Sequence, residues 1–429
     1  MFPQSSASGL TQNTSYKVVL PFYIYGAASL IVATILLFFS SSSFLQHYFH
    51  PETLAITHIM ALGWGTMMIL GASHQLVPVL IEGKLHSNAL AYLTFFSAGA
   101  GIPLLIYAFY NFNMGWPAQT GAILINVAVV LYLINIGISM AKSNKENIHA
   151  IYVFTATMWL LITTIVGLFL VYNFTHNILS ADSVSYLPLH AHLGIIGWFV
   201  LLVLGVGSRL IPLFLISKYN NLKQLWWIYG LVNFGLIFFM VVFLYIRITW
   251  LYFISLAALS AAILLFGQFC YKAYKDRLRK KTDDQLKISL FSILMMAIPV
   301  IFLLIAIVLL VNSTEDSKLA LAYGFCIFFG WITAIIFGMT FKTLPFILWN
   351  KTYNDKAGTG KTPNPRELFS NKMFQVMTVF YLAGFLIFVS GILFSNNFIL
   401  KGAAALLFVA AILYNGNVLK MIFHKPKVV

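Results

Sequence analysis

Three observations in the sequence predict an all-α membrane protein, a polytopic bundle of about 12 transmembrane helices. Of its 429 residues, 60% are hydrophobic and only 9% are charged, whereas a soluble domain carries roughly 25% charged residues. Its apolar runs are long, and they lack the short alternating pattern of barrel strands. A four-helix unit recurs three times along the chain. We therefore predict a single transmembrane domain over residues 1–429.

Twelve apolar runs define the predicted spans. Each is long enough to cross the hydrocarbon core of a bilayer, which takes about 20 residues in a helix. No cleavage site follows the first run, and we interpret it as a retained helix. The runs cover residues 18–40, 53–81, 87–110, 115–141, 149–172, 187–216, 224–246, 248–271, 288–312, 317–347, 373–394 and 396–421.

Basic residues are distributed unevenly between the predicted loops. The odd-numbered loops contain only three of the 26 Lys and Arg residues, namely Arg247, Lys318 and Lys401. The others lie in even-numbered loops, at the termini or at adjacent helix ends, as the positive-inside rule requires of cytoplasmic segments. We therefore expect a bacterial inner membrane protein with both termini in the cytoplasm. The formal net charge of +15 then reflects topology and contact with the lipid bilayer, and no nucleic acid partner is expected.

The same residues recur at the same spacing in the second, sixth and tenth predicted helices. From a first position at residue 58, 192 or 325, Gly and Trp follow at offsets 5 and 6, Gly at offset 13 and Pro at offset 20. Because each unit holds four helices, all units enter the membrane in the same orientation, which predicts pseudo-threefold symmetry about the membrane normal. The internal repeats cover about residues 18–141, 149–271 and 288–421.

The repeated residues have predicted packing roles. The glycines let neighbouring helices approach closely, and the prolines mark the cytoplasmic helix ends, where a lost hydrogen bond costs little. Trp64 and Trp198 lie one or two turns inside the outer end, where they would line a cofactor pocket or pack between repeats. The glycines are Gly63, Gly71, Gly197 and Gly205, and the prolines are Pro78, Pro212 and Pro345.

Histidine is rare in spanning helices, so its positions point to chemistry. His58 and His192 hold the first repeated position in neighbouring units, near the outer surface. Two imidazoles from facing helices bind a haem iron or a metal ion from both sides. His190 points roughly 200° away from His192 on a helix, toward another neighbour. His74 lies sixteen residues deeper than His58, near enough to the cytoplasmic interface to be solvated. These four histidines are the candidate metal ligands.

With these features the chain resembles subunit I of the haem-copper oxidase superfamily, which includes cytochrome c oxidases and nitric oxide reductases. The resemblance covers the whole chain in topology and depends at motif level on the second and sixth helices. In that family the second-helix histidine ligates the low-spin haem, and His58 matches it. The resemblance implies haem held by histidines between helices 2 and 6, and a redox or diatomic-gas function with nitric oxide or oxygen. It also implies a separate cytochrome c or another subunit as partner.

The usual copper-site motifs of that family are missing from this sequence. The tenth helix of the family carries histidines for both haems, where this chain has Tyr323 and Phe325. In common oxidases a tyrosine follows the sixth-helix histidine four residues on, and Gly194 stands four residues after His190 here. The basic pair that binds the haem propionates is absent too, and Arg247 or Lys401 is expected to substitute for it. The usual copper site cannot be assembled from these positions. Copper stays a second cofactor hypothesis beside haem, because histidine and methionine side chains can ligate it.

Three functional alternatives stay open. No Asp or Glu lies inside the twelve runs, which disfavours proton pumping, because buried carboxylates commonly relay protons. The first alternative is a haem protein that, if catalytic, is an oxidoreductase of the haem-copper oxidase type. The second is a non-catalytic membrane protein that handles copper or haem during assembly or transport. The third is a permease, which the absence of buried charge disfavours. The sequence does not decide whether the chain is an enzyme.

Overall fold

A computed structural model of the chain describes residues 14–143, 147–278, 280–314, 316–353 and 362–426. The structure is 85% helical, and these ranges contain no β-strand. Twelve of the helices described there are long and apolar enough to cross a membrane. The predicted fold class, an all-α polytopic membrane protein, is therefore confirmed, whereas the pseudo-threefold arrangement of its repeats stays a prediction.

The spanning helices are numbered α1 to α12 in chain order. They are α1 (Tyr16–Phe39), α2 (Pro51–Leu80), α3 (Asn88–Tyr110), α4 (Trp116–Ala141), α5 (Ile148–His176), α6 (Ser183–Leu215), α7 (Leu222–Ile246), α8 (Thr249–Lys275), α9 (Asp284–Val311), α10 (Ser317–Tyr353), α11 (Asn371–Leu393) and α12 (Asn397–Ile422). Because lipid offers no hydrogen bonds, each span satisfies its backbone within its own helix, and long apolar helices result.

One predicted helix end is wrong. The sequence predicted that α10 ends at residue 347 and that Pro345 marks this end, but the helix continues to Tyr353. Leu348 and Tyr353 are buried beyond the proline, and the Tyr353 hydroxyl is hydrogen-bonded to His424 Nε2 at 2.8 Å. Packing of this last segment outweighs the single backbone hydrogen bond that proline cannot make.

The helices group into two compact units. Unit 1 comprises Met1–Phe22 and Ile69–Lys280, and unit 2 comprises Tyr23–Met68 and Lys281–Val429. Two of the boundaries fall inside α1 and α2 rather than in loops, and the division does not follow the predicted repeats. The organisation as one domain of three repeats stays a prediction.

Close helix contacts in unit 1 depend on glycine. A Cβ added at Gly197 would lie 2.6 Å from the Cβ of Trp159, and one added at Gly205 would overlap the side chain of Tyr152. Both contacts join α6 to α5. They confirm the prediction that the repeated glycines of the sixth helix let neighbouring helices approach closely.

Unit 2 contains a buried charge that the sequence analysis did not foresee. Lys342 on α10 is only 6% exposed, and its ammonium group is paired with the Asp283 carboxylate just before α9. Arg366 also donates to Asp283, at 2.6 Å. The expectation that the chain buries no charge is therefore wrong, because Lys342 inside α10 finds a partner at the residue that precedes α9.

Candidate functional site

Each of the three helices with the repeated motif contains a π-helical segment that begins directly after the first motif residue. The segments are Ile59–Thr66 in α2, Leu193–Val200 in α6 and Cys326–Ile332 in α10. A π-helical turn is wider than an α-turn, and such segments occur frequently at functional sites. The first motif residues, His58, His192 and Phe325, thus each lie immediately before the π-helical segment of their helix. Sequence reasoning missed the π segments, although their positions coincide with the repeated motif.

His58 is half-buried in α2. Its Nδ1 donates a hydrogen bond to the backbone carbonyl of Leu54, one turn earlier, at 2.8 Å. Because a carbonyl can only accept, the proton of the neutral imidazole lies on Nδ1 and the lone pair lies on Nε2. Histidines that ligate metals have this arrangement, since the bond to the carbonyl fixes the tautomer and the ring orientation.

His192 repeats this arrangement in α6. Its Nδ1 donates to the carbonyl of Pro188, again one turn earlier, at 2.7 Å. Its ring centroid lies 5.0 Å from that of Phe239 on α7. The lone pair of His192 is therefore on Nε2, as it is in His58. The two residues that the repeat makes equivalent share one hydrogen-bond geometry.

His190 faces a different neighbour from His192. Its Nδ1 donates to the carbonyl of Thr163 on α5 at 3.1 Å. Gly167 on α5 makes space for the ring, because an added Cβ there would lie 2.8 Å from His190 Cε1. The prediction that His190 and His192 point to different neighbours is confirmed, the neighbours being α5 and α7.

His74 is not solvated, contrary to expectation. It is 0% exposed, and its Nδ1 donates to the carbonyl of Leu70 at 2.7 Å. The rings of Phe22 and Tyr132 each lie 5.3 Å from the imidazole ring. Its Nε2 is buried and has no hydrogen-bond partner among the residues that the structure describes. Aromatic residues from α1 and α4 therefore cover the side chain.

Trp64 has a packing role in unit 2. Its indole N–H donates to Thr333 Oγ1 on α10 at 3.1 Å. The ring centroids of Phe337 and Tyr414 lie 5.9 and 5.2 Å from that of Trp64. These contacts account for its complete burial, and contact with a cofactor stays a prediction.

Trp198 and Arg247 are the other predicted cofactor-binding residues. Trp198 is completely buried in unit 1. Arg247 is exposed just after α7, in the left-handed region with φ of 57°. Its backbone N–H closes the final turn of the helix by donating to Val242 at 2.7 Å. Binding of a haem propionate by Arg247 stays a prediction.

In α10 an aromatic stack occupies the position that histidine holds in α2 and α6. The ring centroid of Phe325 lies 4.7 Å from that of Phe329 and 4.2 Å from that of Phe388. The rings are nearly parallel, at 13° and 12°. Phe44 meets the edge of Phe325 at 6.1 Å. Protein side chains therefore fill the surroundings of Phe325, and the third motif offers no imidazole.

The described residues contain no ready site for a bare metal ion. Within them, no three His, Cys, Asp or Glu side chains come together in a way that could hold a metal. Cys270 and Cys326 are free and buried. A haem needs only one or two protein ligands, because its porphyrin supplies the other four. Ligation of haem iron by His58, His190 or His192 stays a prediction.

The chain matches no protein-family model and no curated protein. The resemblance to haem-copper oxidases therefore depends on the topology and the repeated motif of the sequence itself. Any function assigned to the chain must be argued from the chemistry of its own side chains.

Proposed function

We propose that this membrane protein binds haem and has a redox or diatomic-gas function, as subunit I of cytochrome c oxidase does. One observation carries the proposal, namely the shared geometry of His58 and His192. Each donates its Nδ1 proton to a carbonyl one turn earlier, and each directly precedes a π-helical segment. In each the lone pair lies on Nε2, where a histidine held in this way binds iron.

The chain's own residues would orient the ligands. The carbonyls of Leu54 and Pro188 keep His58 and His192 in the tautomer that can bind iron. Haem, when bound, supplies a one-electron redox centre and, if an iron position stays open, a binding position for nitric oxide or oxygen. Two histidine ligands on one haem favour electron transfer, whereas a single histidine favours gas chemistry. His190, held by α5, is the further candidate ligand.

The haem content of the purified protein tests this proposal. The chain is purified from cells with a saturating haem supply, and its haem-to-protein ratio and reduced-minus-oxidised visible spectrum are measured. We expect a sharp haem band that His58→Ala and His192→Ala each diminish, because each removes an axial ligand. His86→Ala is the matched control, since His86 is exposed in the loop between α2 and α3. A wild-type protein without haem contradicts the proposal.

Metal analysis of the same sample separates haem binding from the handling of copper. Copper without haem supports a non-catalytic role in copper assembly or transport. We expect iron in proportion to haem, and no copper that survives dialysis against a chelator.

The proposal extends to location and partners. The distribution of the 26 Lys and Arg residues supports a bacterial inner membrane with both termini in the cytoplasm. His58 and His192 then lie toward the periplasm, where a separate cytochrome c or another subunit would exchange electrons. A C-terminal green fluorescent protein fusion should fluoresce, and a C-terminal alkaline phosphatase fusion should be inactive. A dark green fluorescent protein fusion with an active alkaline phosphatase fusion would show that the C-terminus lies in the periplasm.

A further inference from the structure

The chain segments that follow α6 and α8 are fastened to each other at one end of unit 1. We call these two segments, residues 216–218 and 276–278, the end clamp. Ser217 and Arg277 form an isolated antiparallel bridge, and the Leu278 N–H donates to the carbonyl of Ile216 at 3.2 Å. We propose that the end clamp binds an anionic phospholipid, with Arg277 holding the headgroup phosphate. This site does not depend on haem and goes beyond the proposed function.

The first argument is the orientation of the Arg277 guanidinium. Its Cζ lies 3.8 Å from the ring centroid of Tyr274, and its Nη1 donates to the carbonyl of the same tyrosine at 2.6 Å. These two contacts fix the plane of the group. Its Nε has no hydrogen-bond partner among the described residues, and the side chain is partly exposed. Because a planar guanidinium matches the geometry of phosphate oxygens, Arg277 is arranged to receive an oxyanion.

The second argument is the charge around the end clamp. Residues 213–223 and 271–281 contain eight Lys and Arg but only one acidic residue, Asp276. Its carboxylate is directed to the opposite segment, where Oδ2 accepts from the Ser217 hydroxyl and the Lys218 N–H, each at 3.0 Å. The surroundings of Arg277 are therefore strongly cationic, and they favour an anion as the ligand.

A comparison with unit 2 shows what is unusual about Arg277. Arg366, an arginine beside the start of α9, donates to the Asp283 carboxylate at 2.6 Å. The protein thus supplies an anionic partner for Arg366. Among the residues that the structure describes, no carboxylate is paired with Arg277. An external anion would fill the place that Asp283 fills beside Arg366.

The third argument distinguishes a phospholipid from a free phosphate. Three large apolar side chains are exposed at the end clamp, namely Leu213 at 56%, Ile216 at 55% and Leu278 at 68%. Ile216 is also left-handed, with φ of 53°, a conformation that is rare for a β-branched residue. A free phosphate gains nothing from exposed apolar side chains, whereas the acyl chains of a phospholipid cover them. The ligand therefore has both an anionic and an apolar part.

The position of the end clamp in the membrane fits this ligand. The spanning helices α6 and α8 end at Leu215 and Lys275, directly before the two segments. The proposed topology places both ends at the cytoplasmic surface, where the leaflet contains anionic lipids. A headgroup phosphate at Arg277 would then lie at its natural depth, with its acyl chains in the bilayer beside Leu213 and Ile216.

The test is native mass spectrometry of the full-length protein in detergent, titrated with phosphatidylglycerol or with phosphatidylcholine. We expect phosphatidylglycerol to bind in preference. Arg277→Gln should raise its Kd by about fivefold or more, because one cation near the surface contributes on the order of 1 kcal/mol. Arg277→Lys should have a smaller effect, since it keeps the charge but loses the planar fork. Arg366→Gln is the matched control, because it removes an arginine that already has a partner, and should leave the Kd within about twofold.

A second pair of measurements separates the phospholipid from free phosphate. Ile216→Asn keeps a residue that tolerates the left-handed conformation but removes the apolar side chain, so it should weaken phosphatidylglycerol binding. Inorganic phosphate should not displace the lipid. Displacement by inorganic phosphate, with no effect of Ile216→Asn, would overturn the lipid as the ligand.

The remaining outcomes concern the site itself. Equal binding of the two lipids, or an unchanged Kd for phosphatidylglycerol in Arg277→Gln, would overturn the proposal. If Arg277→Gln does not fold, Arg277→Lys and Ile216→Asn decide, and an unchanged Kd in both would overturn it. The result is distinguishable from the haem test, because neither lipid binding nor its loss requires haem in the protein.

Discussion

Helices α6 and α10 have the same backbone irregularity at the same motif position but different side chains there. In both, a π-helical segment follows the first motif residue and contains a buried tryptophan. In α6 that residue is His192, bonded to its own helix. In α10 it is Phe325, stacked on Phe329 and Phe388. The π segment therefore accompanies the Gly-Trp motif, whereas the ligand position varies independently of it.

The α10 segment is further distorted and held by neighbours. Gly330 leaves the helical region, with φ of −89° and ψ of −112°. Its carbonyl accepts a hydrogen bond from the Tyr381 hydroxyl at 2.6 Å. The Thr333 hydroxyl donates to the carbonyl of Phe328 at 2.6 Å. In α10 the first motif position serves packing, whereas in α6 it holds a histidine that we propose as a haem ligand.

The largest expected effect on stability comes from substituting the first motif residue of α10, and it distinguishes that residue from its counterpart in α6. Phe325→Ala should lower the free energy of unfolding by about 3–5 kcal/mol, because it opens a cavity in the aromatic stack. His192→Ala should change the stability of the haem-free protein by less than about 1 kcal/mol. Denaturant unfolding of both variants in the same detergent measures the difference. Equal losses in the two variants would contradict the division of roles.

The second effect concerns the glycine seven residues beyond the motif tryptophan. A Cβ at Gly338 of α10 would overlap Ser289 of α9, so Gly338→Ala should destabilise the protein by about 1–3 kcal/mol. Gly324→Ala in the same helix meets nothing within 4 Å and should be neutral or stabilising by about 0.5–1 kcal/mol. Thermal unfolding ranks the two variants. A tolerated Gly338→Ala would mean that α9 and α10 can move apart freely.

The third effect is a pH dependence of the stability of unit 2. Burial raises the pKa of Asp283, but the hydrogen bond and charge of Lys342, with smaller contributions from the Leu286 N–H and Arg366, lower it below its usual 3.8. Because the pKa is lower in the folded state, the ionised carboxylate stabilises the fold at any pH above the pKa of the unfolded state. This stabilisation is lost as the pH falls through the pKa of the folded state. Unfolding measured from pH 6 downward should therefore show lower stability in acid.

The matched variant for this pH effect is Asp283→Asn. It keeps a side chain that can cap α9 but removes the titrating carboxylate. The loss of stability in acid should become smaller than in the wild type. An identical pH profile for Asp283→Asn would show that other groups cause the acid sensitivity.

The smallest effect tests the bond that holds the distorted α10 segment. Tyr381→Phe removes the hydroxyl that donates to Gly330 and should destabilise the protein by about 0.5–1.5 kcal/mol. Tyr245→Phe is the control, since Tyr245 is 79% exposed and should be neutral. If the two substitutions have the same effect, the Gly330 carbonyl finds another partner.

The fold was largely predictable because lipid imposes a simple rule. Each span must satisfy its own backbone, so hydropathy alone locates twelve helices. The end of α10 was not predictable, because it depends on Tyr353 and its partner His424 from beyond α12. The burial of Lys342 was not predictable, because it depends on Asp283, which lies just before α9.

The candidate site was predictable in its residues but not in its surroundings. The repeat located His58 and His192, since equal spacing is visible in the sequence. The burial of His74 was not visible, because it is produced by Phe22 and Tyr132 from other helices. Hydrogen bonds to carbonyls one turn earlier were also hidden, because any helical histidine could form them.

The most direct test of the haem proposal is a side-by-side reduced-minus-oxidised spectrum of the wild type, His192→Ala and Phe325→Leu. These substitutions change equivalent motif positions of α6 and α10. The account predicts a haem band in the wild type that Phe325→Leu retains and His192→Ala diminishes. A wild type without haem, or a His192→Ala spectrum identical to that of the wild type, would contradict it.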